Sequence, residues 1–259
     1  MASSQELMLR SKLKKIIINF FNFFGYELKR KNNFNDRWEN FIVEANEQEK
    51  KDIKYFQQIS LTSDVNLWSI NQCLKYIKRN EVQGDIVECG IYNGNTLSYI
   101  GKISENLKLN RKIWGYDTFD GFIENSFSDK DRDFKTGKKT KFKKENISFS
   151  KEEVMKNILI NDKINQDKYV LIKGDILKTL DENKNLPEKI SFLRLDTDIY
   201  KTTKKQLEIL YPRLSNGGIL HIDDYGWAPG VKFAVDEYFS NSNIWLHRVD
   251  LTCRYLIKS

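Results

Sequence analysis

The chain has 259 residues, of which 40% are hydrophobic, 13% aromatic and 31% charged, and this composition excludes a disordered or fibrous protein. The formal net charge is +7, but 43 Lys and Arg residues are balanced by 36 Asp and Glu residues, so no basic face for nucleic acid is expected. Three cysteines, Cys73, Cys89 and Cys253, are too few and too scattered for a disulfide framework. A reducing compartment, the cytoplasm, is therefore expected.

Residues 1–60 have a helical pattern dotted with aromatic side chains, and they predict an N-terminal helical cap on a second region, 61–259. Apolar residues in the cap recur at helical spacing and form one stripe: Ile17, Phe20, Phe21, Phe24 and Leu28. The stripe is interrupted by asparagines and is too short for a membrane span. It is expected to pack on the rest of the chain or on a second copy in a homo-oligomer, with attachment to a membrane surface as the alternative.

From residue 61 onward, strand patterns alternate with helical patterns. The predicted strands are 85–89, 112–116, 169–173, 190–195 and 218–222, with a late pair around 245–249 and 253–257. The predicted helices are 64–78, 96–107, 150–160, 202–211 and 231–239. This alternation predicts an α/β fold with a doubly wound, mostly parallel, seven-stranded sheet, which places ligands at the carboxyl ends of the strands.

The first predicted strand ends in a glycine turn that begins with an acid, Glu88, and contains Gly90 and Gly94. Glycine allows a tight turn and a close approach of ligand to backbone. The turn lacks the GxGxxG spacing of a dinucleotide site, and an acid before it suits a cationic or hydroxyl-rich ligand, such as the amino acid end of S-adenosylmethionine, better than it suits a phosphate. A purely structural turn is the alternative.

Two further acids follow predicted strands. Asp117 ends the second strand, where a carboxylate can accept hydrogen bonds from both hydroxyls of a ribose. A turn or helix-capping aspartate is the alternative for this position. Asp175 follows the third strand and could reach an adenine amino group.

The densest acidic signal comes from the next two predicted strands. Asp196 follows one of them, and the pair Asp223 and Asp224 follows the other. If these strands are neighbours in a parallel sheet, the three carboxylates converge and offer hard oxygen ligands for a magnesium-like ion, with coordination positions left open. The alternative is three solvated acids that splay apart.

Across residues 60–240 the chain resembles the macrocin O-methyltransferase family, whose members use S-adenosylmethionine to methylate sugar hydroxyls of natural-product glycosides. The motifs that carry the resemblance are VECGIYNG (87–94), YDTFDGF (116–122), LRLDTDIY (193–200), YPRLSNGG (211–218) and IDDYG (222–226).

The resemblance implies a Rossmann-like methyltransferase fold, with Glu88 and Gly90 beside the methionine part of the cofactor and Asp117 on its ribose. It also implies Mg²⁺ on Asp196, Asp223 and Asp224, with Asp196 as the base, and a sugar or glycoside as the acceptor. Two other functions stay open: a metal-dependent hydrolase that uses the same three aspartates, and a noncatalytic module that binds the cofactor.

Overall fold

The computed structural model describes residues 42–132, 136–138, 148–161 and 166–259. The chain divides into two compact units, Met1–Phe41 and Ile42–Ser259. The first unit, with the predicted apolar stripe, lies outside the described residues. The last part of the predicted cap is a helix of the second unit, α1 (Glu47–Ile59), and its Phe56 ring packs 5.1 Å from the ring of Tyr99.

Six further α-helices and seven strands follow in the described residues of the second unit. The helices are α2 (Asp64–Arg79), α3 (Asn95–Asn106), α4 (Lys151–Asn161), α5 (Ile176–Thr179), α6 (Tyr200–Leu210) and α7 (Pro229–Tyr238). The strands are β1 (Asp85–Cys89), β2 (Ile113–Asp117), β3 (Tyr169–Lys173), β4 (Ile190–Leu195), β5 (Leu214–Ile222), β6 (His247–Arg248) and β7 (Arg254–Ile257).

The seven strands form one sheet in the order β3-β2-β1-β4-β5-β7-β6. Strands β1 to β5 pair in parallel, and β7 runs antiparallel to both β5 and β6. The predicted doubly wound, mostly parallel sheet of seven strands is therefore confirmed. The chain reverses its direction of winding between β1 and β4, which is where an open α/β sheet forms a crevice for ligands.

Both faces of the sheet are covered, because neighbouring strand residues point to opposite sides. One core cluster combines the strand residues Ile86, Phe192 and Ile219 with residues of α1 to α4, among them Phe56, Leu74, Ile100 and Ile158. The other combines Val87, Leu193 and Leu220 with residues of α5 to α7, among them Ile176, Leu207 and Val235. The central strands are thus apolar on both faces, as expected for a buried parallel sheet.

Local signals define several of the helix starts. Asn46 and Glu49 form a capping box at the start of α1. Ser63 caps α2 by accepting a hydrogen bond from the Asn66 N–H at 3.1 Å.

Strand β5 begins at Leu214, four residues before the predicted start. The pair Gly217 and Gly218 extends it: Gly217 has a φ of +75° and donates its N–H to the Lys258 carbonyl at 2.7 Å. None of the helices in the described part of the chain has the length and apolar content that a membrane crossing needs.

Candidate active site

The carboxyl ends of β1, β2, β4 and β5 lie side by side and form one edge of the sheet. Leu195 pairs with Ile222 in the parallel register of β4 and β5, so the acids that follow these strands converge. Three carboxylates, those of Asp196, Asp198 and Asp224, each offer an oxygen within 4.8 Å of the other two. Sequence reasoning missed Asp198, although the motif DTD already signals it.

The backbone at this acidic cluster is in an uncommon conformation. Asp198 has a φ of +62° and Asp224 has a φ of +57°, in the left-handed region that side chains other than glycine seldom adopt. Such conformations are concentrated at functional sites, where the surrounding structure enforces them. The two turns aim both carboxylates at the same space.

The carboxylates of the cluster repel one another. Burial, with repulsion from Asp196 and Asp223, raises the pKa of Asp198 to about 6, against the lowering effect of its hydrogen bond with Asp224. Burial is also the largest cause that raises the pKa of Asp196 and of Asp224 well above the ordinary range, and neighbouring aspartates add to it. A divalent cation would relieve this repulsion, and hard carboxylate oxygens are the ligands that Mg²⁺ prefers, so the residues fit such an ion.

Asp223 faces a different set of partners. Its Oδ2 accepts hydrogen bonds from Arg194 Nη2 at 2.5 Å and from Asn66 Nδ2 at 3.2 Å. Its Oδ1 accepts from Thr252 Oγ1 at 3.0 Å and from the backbone N–H of Asp224 at 3.0 Å. Four donors therefore occupy the lone-pair positions of a carboxylate that the sequence predicts to be a metal ligand.

Arg194 is a second residue of this cluster that sequence reasoning missed. It is completely buried on β4, and its Nη1 donates to Glu88 Oε1 at 2.7 Å and to Asp196 Oδ2. The available signal was a charged residue inside an otherwise apolar strand, since a buried charge requires partners of opposite sign.

Glu88 lies under the site rather than at its surface. Its side chain is 1% exposed and bonds Arg194, and its Oε2 has no hydrogen-bond partner among the described residues. Burial raises the pKa of Glu88 to about 7, against the opposing effect of Arg194.

Asp117 braces the glycine turn. Its Oδ2 accepts hydrogen bonds from the backbone N–H groups of Ile91 at 2.8 Å and Tyr92 at 3.2 Å, and its Oδ1 accepts from Phe119 N–H at 2.8 Å. The loop after β1 is therefore fixed to the end of β2. The sequence predicts that the cofactor binds at these two places. Asp175 follows β3 and caps the short helix α5 through Leu177 N–H at 3.0 Å.

Gly90 connects the glycine turn to the acidic cluster. Its φ is +80°, and a Cβ atom at this position would lie 1.8 Å from the carbonyl oxygen of Asp196. The Asp196 N–H in turn donates to the Cys89 carbonyl at 2.9 Å. The predicted cofactor turn and the acidic cluster are thus in direct backbone contact.

The fold is the one that O-methyltransferases share. The chain is similar to the solved structure of the O-methyltransferase NovP, with a TM-score of 0.68 and 28% identity over 76% of this chain and 81% of that one. The sequence profile of the macrocin-O-methyltransferase (TylF) family matches residues 11–258, and the chain belongs to this family.

The chain is also similar in sequence to two named O-methyltransferases. The chain is 32% identical over 183 residues to demethyldecarbamoylnovobiocin O-methyltransferase of Streptomyces niveus, which is 69% of this chain and 66% of the relative. It is 28% identical over 176 residues to mycinamicin III 3''-O-methyltransferase of Micromonospora griseorubida, with 66% of each chain covered. The match thus spans about two thirds of the length of these relatives.

Proposed function

We propose that the protein is an S-adenosylmethionine-dependent, Mg²⁺-dependent O-methyltransferase that methylates a hydroxyl of a sugar or glycoside. The observation that carries this proposal is the contact between Gly90 and Asp196. A cofactor held on the glycine turn and an acceptor held at the acidic cluster would meet within one crevice, as a single direct transfer requires. Membership of a family of O-methyltransferases supports the same chemistry.

For the cofactor we propose a site along the ends of β1, β2 and β3. Gly90 gives the backbone room beside the methionine portion, while Asp117 accepts a hydrogen bond from a ribose hydroxyl through Oδ1, because Oδ2 already accepts hydrogen bonds from Ile91 and Tyr92. Glu88 lies beneath the turn, near the methionine portion, and Asp175 would lie near the adenine.

For the metal we propose Asp196 and Asp224 as ligands, with the third carboxylate supplied by Asp198 or by Asp223. Asp198 is supported by the 4.8 Å cluster, whereas Asp223 would first have to give up one of its four hydrogen bonds. Mg²⁺ held there would bind the acceptor oxygens and lower the pKa of the hydroxyl that is to be methylated.

With S-adenosylmethionine bound, Asp196 would accept the proton of the acceptor hydroxyl, and the hydroxyl oxygen would take the methyl group as the carbon–sulfur bond breaks. The electron pair of that bond would stay on the sulfur and neutralise its charge. No covalent enzyme intermediate is needed. Holding the two reactants in line can lower the activation free energy by about 7–11 kcal/mol.

The experiment is a methyl-transfer assay with labelled S-adenosylmethionine, Mg²⁺ and a panel of glycosides and nucleotide sugars. We expect transfer by the wild-type protein and its loss on chelation of the metal. We also expect its loss in Asp196→Asn with cofactor affinity within about twofold of wild type, because Asp196 is proposed to serve the metal and the acceptor proton rather than the cofactor. Turnover by Asp196→Asn with metal bound would contradict the base assignment. Acceptor hydrolysis without methylation would favour the hydrolase, and cofactor binding without turnover on any acceptor would favour the noncatalytic module.

A further inference from the structure

A polar row crosses the sheet one layer below the acidic cluster. In the register of the strands, the residues that pair successively from β2 to β7 are Gly115, Glu88, Arg194, His221 and Tyr255. The row lies on the face that is covered by α1 to α4, and its three central members are completely buried. Arg194 is at its centre.

The hydrogen bonds of the Arg194 side chain within the described residues all go to carboxylates. Glu88 belongs to β1, Asp196 follows β4, and Asp223 follows β5, so one guanidinium joins the ends of three adjacent strands. A planar guanidinium presents donors in fixed directions, and it therefore determines where each carboxylate oxygen lies.

The bonds to Arg194 also determine which oxygens remain for other partners. Arg194 engages Oδ2 of Asp196, and this leaves Oδ1 for a metal or an acceptor proton. Arg194 also donates to Oδ2 of Asp223, and this oxygen accepts a second hydrogen bond from Asn66. The side chain of Asp196 is 27% exposed, so a ligand can reach it, whereas Arg194 has no exposure at all.

We propose that Arg194 is a positioning residue of the methyl-transfer site: without touching metal or substrate, it holds the Asp196 carboxylate in the orientation that metal binding and transfer require, and it fixes the neighbouring Asp223 beside it. This inference rests on the proposed function. It differs from a purely structural role, in which Arg194 would only neutralise buried acids and any variant that folds would bind metal normally.

The test is Arg194→Lys, which keeps the charge and removes the planar set of donors. The matched control is Phe192→Leu, because Phe192 is also fully buried and lies two residues earlier on the same face of β4, in contact with His221 rather than with the acids. For each variant, thermal unfolding measures folding, electron paramagnetic resonance measures Mn²⁺ binding as the metal probe, and calorimetry measures S-adenosylmethionine binding. Steady-state kinetics give kcat and KM.

We expect Arg194→Lys to fold, to bind Mn²⁺ about 10–100-fold more weakly and to have a kcat lower by a similar factor. Losses of this size are typical when a group that orients a metal ligand is replaced. Its affinity for S-adenosylmethionine should stay within about twofold of wild type. Phe192→Leu should lose thermal stability with Mn²⁺ affinity and kcat near wild type.

A folded Arg194→Lys with unchanged Mn²⁺ affinity and kcat would overturn the inference. So would an equal loss of Mn²⁺ affinity in Phe192→Leu, because the effect would then follow stability. If Arg194→Lys does not fold, Arg194→Gln takes its place under the same criteria, and failure of both to fold would assign Arg194 a structural role. A wild-type protein that binds no Mn²⁺ and transfers no methyl group contradicts the proposed function itself.

Discussion

Trp227 is an exposed aromatic residue beside the acidic cluster. The backbone N–H of Trp227 donates to the backbone carbonyl of Asp224 at 2.9 Å, so the backbone of Trp227 is in contact with that of a proposed metal ligand. Its side chain remains 56% exposed. A large exposed aromatic surface next to a polar site is suited to an amphipathic ligand such as a sugar ring, which has both apolar faces and hydroxyl groups.

We predict that Trp227→Ala raises the KM for the glycoside acceptor by about 10-fold or more through lost contact area, and leaves S-adenosylmethionine affinity unchanged. Trp245→Ala is the control, because Trp245 is 77% exposed near the edge strand β6, where its ring stacks on His247. Kinetics with the acceptor varied at saturating cofactor measure the effect. Equal changes in the two variants would argue against an acceptor surface at Trp227.

At the level of single residues, the sequence predicts which acids end strands, but not what each carboxylate contacts. Asp196, Asp223 and Asp224 do reach one edge of the sheet. Two of the four hydrogen bonds to Asp223 come from Asn66 on α2 and Thr252 before β7, which are 157 and 29 residues away in the chain. No local pattern encodes such contacts, because they depend on how α2 and the β5–β7 pair pack together.

At the level of elements, the turn between β1 and α3 is fixed from several sides. Asp117 holds its backbone N–H groups, and the side-chain amides of Asn93 and Asn95 donate to the Ile59 carbonyl at 2.9 and 2.7 Å, which ties the turn to the end of α1. A turn braced in this way is preorganised for a ligand, because little of it has to become ordered on binding.

We predict that Gly90→Ala lowers the free energy of unfolding by about 2–5 kcal/mol, since the new methyl group clashes with the Asp196 carbonyl and the residue must keep a positive φ. Gly137→Ala separates the two effects. Gly137 has a φ of +65°, but a Cβ atom there meets no atom of the described residues within 4 Å, so a loss of about 1–2 kcal/mol is expected from backbone strain alone. Denaturant unfolding measures both, and similar losses would contradict the close approach of Gly90 to Asp196.

The sequence predicts the order and type of the described elements better than their limits. Strand β5 is longer than its apolar pattern because the glycine pair at 217–218 bonds Lys258 at the other end of the chain, and β6 has only two residues. Helix α1 carries helical periodicity in the sequence. Its packing on α2 and α3 depends on long-range contacts such as Phe56 with Tyr99, which the local pattern does not specify.

At the level of the whole molecule, the sheet has two roles: it forms the hydrophobic core, and it positions the site. Apolar residues on both faces bury the central strands, and their carboxyl ends present the glycine turn and the acids in one crevice. The parallel register is what brings Glu88, Arg194 and the strand-end acids together. The alternation of strand and helix in the sequence is sufficient to predict this crevice, whereas the partners of the buried arginine beneath it follow only from the register.

The central claim is that this crevice binds S-adenosylmethionine between the glycine turn and Asp117. It is tested most directly by calorimetric titration of S-adenosylmethionine into the purified protein, with and without Mg²⁺. Asp117→Ala is the test variant, and Asp181→Ala is the control, because Asp181 is a largely exposed aspartate that pairs with Lys205 away from the crevice. Circular dichroism verifies that both variants fold.

We predict saturable binding by the wild-type protein and by Asp181→Ala, and binding weakened at least about 100-fold in Asp117→Ala, because the ribose acceptor and the brace of the turn are removed together. No binding by the wild-type protein with or without Mg²⁺ would contradict the account and direct attention to the acidic cluster as a hydrolytic centre. Unchanged binding in folded Asp117→Ala would contradict the location of the cofactor site.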